Sequence, residues 1–306
     1  QRFRRDQVDL KVDHAFSDRN RISGFAYIGT QNNVDPERLP VPFTSALDRD
    51  YRSRWIRINH DFIVSPATLN NFRIGFTREA EYWQKLSAGG DWANRLGVAG
   101  LIASEGTFPQ VQFTDGLTTW ADDSKSVGQQ ANNVWQITET LSHIRGNHSL
   151  KFGADARWLQ TNGADFFLSQ GMFRFNALET GLPGVANSGH AFASFLLGAV
   201  DRAEQNVVAI VPGNRYRYLA LFVQDDWKAT RKLTLNVGLR YDLFFPRTEA
   251  HDNLSGFAPD VPNPAAGNRL GAIAFLGDGP GRNGRSSFAD TYYRNFGPRF
   301  GFAYSL

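Results

Sequence analysis

Eight charged side chains occupy one phase of segments that alternate apolar with polar residues. They are Arg57 and Asp61 in "RWIRINHDFIV" (54–64), Arg73 in "NFRIGFT" (71–77), Lys151, Asp155 and Arg157 in "LKFGADARW" (150–158), and Arg240 and Asp242 in "KLTLNVGLRYDLF" (232–244). Guanidinium and carboxylate groups in such positions can join through charge-assisted hydrogen bonds or line a wet path for a polar solute. They can also simply neutralise one another across neighbouring strands. If the segments cross a bilayer, an Arg facing its midplane would cost about 2–4 kcal/mol, so the charged phase must face away from lipid.

Signatures of catalysis are weak. "GPGRNG" (279–284) fits G-x-G-x-x-G formally, but a phosphate loop needs a helix behind it and an acidic residue about 20 positions on. Here "RSSFADTYY" follows, and position 304 is Tyr. A surface loop is the expected structure. The six His are scattered without a zinc spacing. His143 and His148 flank the turn "IRGN" and could meet across its hairpin, but turn-adjacent polar residues are the expected reading. "DDS" (122–124) and "QDDW" (224–227) are acidic pairs without EF-hand spacing. "NHS" (147–149) matches a glycosylation sequon and is uninformative in a turn. No Ser-His-Asp arrangement can be assembled from spacing. Neither an enzyme, nor a cofactor, nor a metal site is expected.

The totals narrow the class. With 33 basic and 30 acidic residues, net charge is +3, so no nucleic-acid partner is expected. Six of the basic residues are Lys and the rest Arg, which suits paired charge. Cysteine is absent, which excludes disulfides and thiolate metal sites. No stretch approaches the ~20 apolar residues of a transmembrane helix. "AFASFLLGAV" (191–200) reads as a short helix. The chain opens on "QRFRRDQVDLKV" and closes inside an apparent strand, as a piece of a longer protein would.

The charged positions are held by strands. Period-two alternation places Ile56, Ile58, Phe62 and Val64 opposite Arg57 and Asp61, and the series Leu233 to Leu243 opposite Asn236, Arg240 and Asp242. "RFGFAYSL" repeats the pattern with Phe300, Phe302, Tyr304 and Leu306. About eleven strands are predicted, near 7–17, 20–29, 52–65, 68–83, 131–145, 148–160, 163–176, 200–212, 215–229, 232–245 and 293–306. Short turns at 17–20, 65–68, 145–148 and 229–232 alternate with long segments at about 30–51, 84–131 and 246–292. This parity requires the "FASFLLG" helix to lie on the short-turn side. Long alternating strands with short turns at one end and long loops at the other describe an antiparallel transmembrane β-barrel. A soluble β-sandwich is the competing architecture, but its strands usually run about 5–6 residues. Trp158 and Tyr241 near the long-loop ends, and Trp227 beside a short turn, suit interfacial girdles or mere strand preference. "YLALF" (218–222) is apolar in both phases, and its lipid face cannot be assigned.

"GNHSLKFGAD" (146–155), "FASFLLG" (192–198), the run from Tyr218 to Asp242, "LSGFAPD" (254–260) and "FGPRFGFAYS" (296–305) carry a family likeness. They resemble the barrel of TonB-dependent outer-membrane receptors of the Oar-like type, which bear a carboxypeptidase-regulatory-like domain. The likeness covers roughly 130–306 well and the earlier strands only in style. It implies a 22-stranded barrel in the cell outer membrane, occluded by an N-terminal plug and energised by the TonB complex for import of scarce nutrients. This chain would then be a partial barrel of about half the strands. Its expected partners are outer-membrane lipid, the missing plug and remaining strands of the same protein, and the TonB complex through the absent N-terminal region. The eight charges would form a lumen-facing polar wall. The alternative is an outer-membrane adhesion or secretion-associated protein that uses the barrel as an anchor. In either case the loops at 84–131 and 246–292, with Trp92, Trp120 and Phe275, are the expected recognition surface.

Overall fold

The computed structural model describes residues 2–101, 106–122, 127–165, 168–207 and 210–305. In chain order the strands are β1 (Arg2–Ser17), β2 (Asn20–Val34), β3 (Leu47–Ser65), β4 (Thr68–Lys85), β5 (Gln110–Phe113), β6 (Val127–Arg145), β7 (His148–Asp165), β8 (Met172–Phe175), β9 (Arg202–Glu204), β10 (Gly213–Lys228), β11 (Leu233–Glu249), β12 (Ser255–Asn263), β13 (Arg269–Phe275) and β14 (Phe296–Tyr304). Two short helices, α1 (Trp92–Leu96) and α2 (Ala191–Leu196), lie in connections. No helix among the described residues is long and apolar enough to cross a membrane, which leaves crossing by strands open.

Nine strands form one antiparallel meander in the order β1-β2-β3-β4-β6-β7-β10-β11-β14. The sheet is open: β1 and β14 are its edges. Apart from β14, its strands run 15–19 residues, or about 50–60 Å at the usual rise. That length exceeds what a hydrocarbon layer needs and carries the strands well beyond it on one side.

Turn chemistry sets the register at the short end. Arg145 and His148 pair around Gly146-Asn147, and Gly146 takes a φ of 59°. A left-handed first residue matches the twist of the flanking strands, and glycine adopts it without a Cβ clash. The turns at Asp18-Arg19 and Pro66-Ala67 lack such a residue, and each is adjoined by a register shift, at Ala15/Ser17 and Ile63/Ser65. A bulge beside the turn restores the twist that an ordinary turn would splay.

Nine wall strands replace the predicted eleven. Apart from 163–165, which end β7, the described parts of 163–176 and 200–212 are not wall strands: β7 pairs directly with β10, so the chain between Asp165 and Gly213 is one long connection. The short β8 and β9 within it join β5 in a separate three-stranded sheet. Consequently α2 lies on the long-loop side, contrary to the placement expected from sequence. With that correction, all four short turns fall at one end and the connections 35–46, 86–126, 166–212 and 250–295 fall at the other. The reason is distance in sequence: 163–176 alternates much as a wall strand does, and only its nonlocal partners distinguish the two.

Candidate functional site

The cross-strand register puts all eight sequence-predicted charged residues on the same face of the nine-stranded sheet. One row across the strands runs Lys11, Phe25, Arg57, Gly75, Gln136, Arg157, Tyr218. The next runs Asp13, Ser23, Asn59, Arg73, Thr138, Asp155, Ala220, Asp242, and the third Arg21, Asp61, Asn71, Thr140, Gly153, Phe222, Arg240. Lys151 occupies the fourth row with Ser142 and Gln224. Residues two apart on each strand thus assemble into a continuous polar field.

Four of the eight join one network. Arg157 meets Asp155 at 2.6 Å, and Gln136 donates to Asp155 at 3.2 Å. Arg240 Nε lies 3.0 Å from Asp242, and its terminal nitrogen donates to the Tyr218 hydroxyl at 2.7 Å. That hydroxyl also donates to Asp242, and the Arg157 guanidinium lies 5.4 Å from the Tyr218 ring centroid. Tyr218 is therefore the bridge between two ion pairs on different strands. Below it, Asp226 accepts from Asn236 at 2.6 Å and from Gln224 at 3.2 Å. Asp61 accepts from Asn71 at 2.6 Å. Among the described residues, Arg57, Arg73 and Lys151 enter no salt bridge, and neither does the nearby Asp61. The structure thus pairs some of the charges and leaves others open.

Sequence reading missed Tyr218 and Gln136. Both were in the right phase: Tyr218 is in step with Gln224 and Asp226, and Gln136 with Thr138. The apolar run "YLALF" concealed the first. In the structure Leu219, Leu221 and Val223 share a face with Leu239, Tyr241 and Leu243, whereas Tyr218, Ala220 and Phe222 share the polar one.

Over a limited height the opposite face is mostly apolar, interrupted on β2, β3, β4 and β6 by two hydrogen-bonded polar pairs, Asn70 with Glu139 and His60 with Asn20 (2.7 Å). On β7 it shows Leu150, Phe152, Ala154, Ala156 and Trp158, and on β11 the series Leu233 to Leu243. Much of it is open among the described residues: Leu239 is 42% exposed and Phe300 74%, although Leu243 is buried. Aromatic rings mark both limits. Phe76 packs on Trp135 at 4.5 Å, Trp135 is the register partner of Trp158, and Tyr241 meets Phe296 at 4.9 Å. At the short-turn end Trp227 stacks on His148 at 5.3 Å. Ten residues separate His148 from Trp158, about 33 Å of strand. At a barrel tilt near 40° this is about 25 Å, the height of an outer-membrane apolar band. Beyond the upper rings the face turns polar: Arg78 donates to Asn133 at 2.8 Å and Asn133 to Gln160 at 3.2 Å.

The long connections are folded against one another. Phe108, Val111, Phe113, Ala121, Phe175 and Ala191 form a buried core, with Phe43, Trp92, Trp120, Phe173 and Phe195 packed on it. Its residues come from three connections, tied by Gln110 N–H to the Gly171 carbonyl (3.0 Å) and Ala121 N–H to the Phe43 carbonyl (2.7 Å). Asp115 accepts from the Ala191 N–H at 2.8 Å, joining 86–126 to the start of α2. Lys85, buried at the end of β4, donates to the carbonyls of Ala121 (2.7 Å) and Asp122 (3.0 Å). Trp92 and Trp120 are therefore structural partners in this cap rather than free surface aromatics, while Phe275 is exposed as expected.

The remaining motifs resolve simply. "GPGRNG" is turn structure with no helix behind it, and Arg282 within it donates to the Asp252 carbonyl at 2.8 Å. His143 bonds Thr68 at 2.8 Å and His148 bonds Asp225 at 2.6 Å, so the two do not meet each other. Asp225 and Asp226 leave opposite faces and cannot grip one ion together. In "DDS", positions 123–124 lie outside the described residues.

A family model described as "Outer membrane beta barrel domain" matches residues 1–306. No curated protein matches the chain. Three solved structures are similar over part of their length. The outer membrane transporter YddB from Escherichia coli has 13% identity and a TM-score of 0.45, covering 78% of this chain and 27% of its own. The copper transporter OprC has 9% identity and a TM-score of 0.44, covering 98% and 33%. BauA, the ferric preacinetobactin receptor from Acinetobacter baumannii, has 11% identity and a TM-score of 0.40, covering 82% and 35%. The chain spans about a third or less of each. On its fold, its two-faced sheet and its match along the whole sequence, the chain belongs to the outer membrane β-barrel domain family and is a partial β-barrel of the cell outer membrane.

Proposed function

We propose that this chain is part of the wall of a TonB-dependent receptor of the Oar-like type, serving import of a scarce nutrient rather than catalysis. The observation that carries the reading is the sorting of side chains. One face presents an apolar band bounded by aromatic rings, and the other gathers Arg57, Asp61, Arg73, Lys151, Asp155, Arg157, Arg240 and Asp242 into four adjacent rows. In this reading the first face meets lipid and the second lines the lumen, where open cationic groups at Arg57, Arg73 and Lys151 face a plug domain or a passing solute. Further strands of the same protein cover the edges β1 and β14, since lipid does not tolerate unpaired backbone. The TonB complex supplies energy through the plug.

The test uses the full-length protein in its host membrane. Site-specific crosslinking should join its N-terminal region to the periplasmic domain of TonB, and planar-bilayer recordings should show a closed barrel that conducts once the plug is removed. A full-length protein without a plug, or one that never crosslinks to TonB, would instead favour a barrel that anchors adhesive loops.

A further inference from the structure

The loop cap holds an open hollow of about 780 Å³. That volume falls in the range of small-molecule sites, roughly 300–1,000 Å³. Its wall draws on three connections: Phe43 from 35–46, Trp92, Phe108 and Trp120 from 86–126, and Phe173 and Phe195 from 166–212. The rings hold one another edge to face, Phe43 on Phe108 at 5.3 Å, Trp92 on Phe108 at 5.4 Å and Trp120 on Phe195 at 5.2 Å. Edge-to-face pairs of this kind add stability beyond burial and help hold the walls in place. An apolar hollow of this size on a watery surface gains free energy when an apolar body displaces its water.

Arg95 is the only charged residue among the described residues that line the cavity. Its guanidinium lies 4.0 Å from the centroid of the Trp92 ring, and no salt bridge among the described residues involves it. A guanidinium held over an aromatic ring by cation–π attraction keeps N–H groups free to bind an anion. A carboxylate is the natural complement, because two of those donors match its two oxygens.

We propose that this cavity binds a small molecule with a flat, apolar, preferably aromatic body and one anionic group. The body lies against Trp92, Phe108 and Phe195, and the anion pairs with Arg95. The inference does not rest on energised import, since a receptor that only captures its ligand would use the same site.

The experiment is calorimetric titration of the full-length protein in lipid nanodiscs with 2-naphthoate and with neutral 2-naphthol, after subtraction of empty-nanodisc heats. Wild type should bind 2-naphthoate at one saturable site. Arg95→Gln should weaken that binding about tenfold, the equivalent of ~1.4 kcal/mol, while leaving 2-naphthol within about twofold. Val200→Trp, which fills the cavity from an exposed lining position, should abolish binding of both. The proposal is overturned if wild type shows no saturable binding, as it would were another segment of the full-length protein seated there. It is equally overturned if Arg95→Gln binds 2-naphthoate normally, or if Val200→Trp retains wild-type affinity.

Discussion

A Cβ built on Gly153 would lie 2.2 Å from the Phe222 ring, and one on Gly128 equally close to Trp83. In both places the aromatic ring occupies the space that the glycine leaves on the neighbouring strand, which is how an apolar ring is accommodated on the polar face. Glu249 shows the same economy at the mouth of the loops. Its buried carboxylate accepts backbone N–H groups from Gly213 (2.7 Å), His251 (2.8 Å) and Asn253 (2.8 Å), fastening the start of 250–295 to β10. It stands six residues beyond Leu243, outside the apolar band. Burial opposes ionisation, but the three donors outweigh it and hold the acid below its usual range. A depressed carboxylate contributes stability above its unfolded value, ~4.3 for Glu, and loses that contribution as pH falls through the lower folded value. Limited proteolysis within 251–295 of the full-length protein should therefore accelerate only as pH drops below about 4.3. Glu249→Gln should make cleavage fast already at pH 7. Equal cleavage of wild type and variant at pH 7 would remove Glu249 from this role.

Strand β11 offers the sharpest test of the two faces, because successive residues leave them alternately. Leu239, four residues above the row of Trp227, is 42% exposed on the apolar face, and Asn236 donates to Asp226 on the polar one. An Arg facing lipid near the midplane costs about 2–4 kcal/mol, whereas an Arg beside Asp226 exchanges a hydrogen bond for an ion pair within about 1 kcal/mol. Denaturant unfolding of the full-length protein in lipid vesicles should rank Leu239→Arg well below Asn236→Arg. The reverse order would invert the faces. Strand β10, ambiguous on its own, takes its phase from β7 and β11, whose registers place Leu221 opposite Ala154 and Tyr241.

At the scale of the molecule, four short turns and four long connections sort to opposite ends without exception. The long end, with its own small sheet and aromatic core, is expected to face the outside of the cell, as long loops of outer-membrane barrels generally do. This chain contains no cysteine, so in a full-length protein freed of any cysteine elsewhere, introduced thiols report on single sites. Ala99→Cys and Ser286→Cys in long connections should react with an impermeant maleimide on intact cells, and Asn147→Cys in a two-residue turn should not. Labelling of Asn147→Cys alone would reverse the orientation and move the cap to the periplasm.

What the sequence determined by itself was local and periodic. Alternation with period two is a property of one strand, so the phases of β3, β4, β7 and β11, and hence a common face for all eight charges, could be read before any contact was known. Gly146 likewise announced its turn. Pairing across long sequence distances was beyond that reach. Whether 163–176 joins the wall depends on β7 meeting β10, whose turn-side ends at His148 and Trp227 are 79 residues apart. The side of the sheet on which α2 lies follows from the same pairing. The cap core joins Phe43, Phe113 and Phe175, which no periodicity connects. Tertiary structure decided these because burial of aromatic surface is not directional along the chain: it selects whichever loops can reach one another.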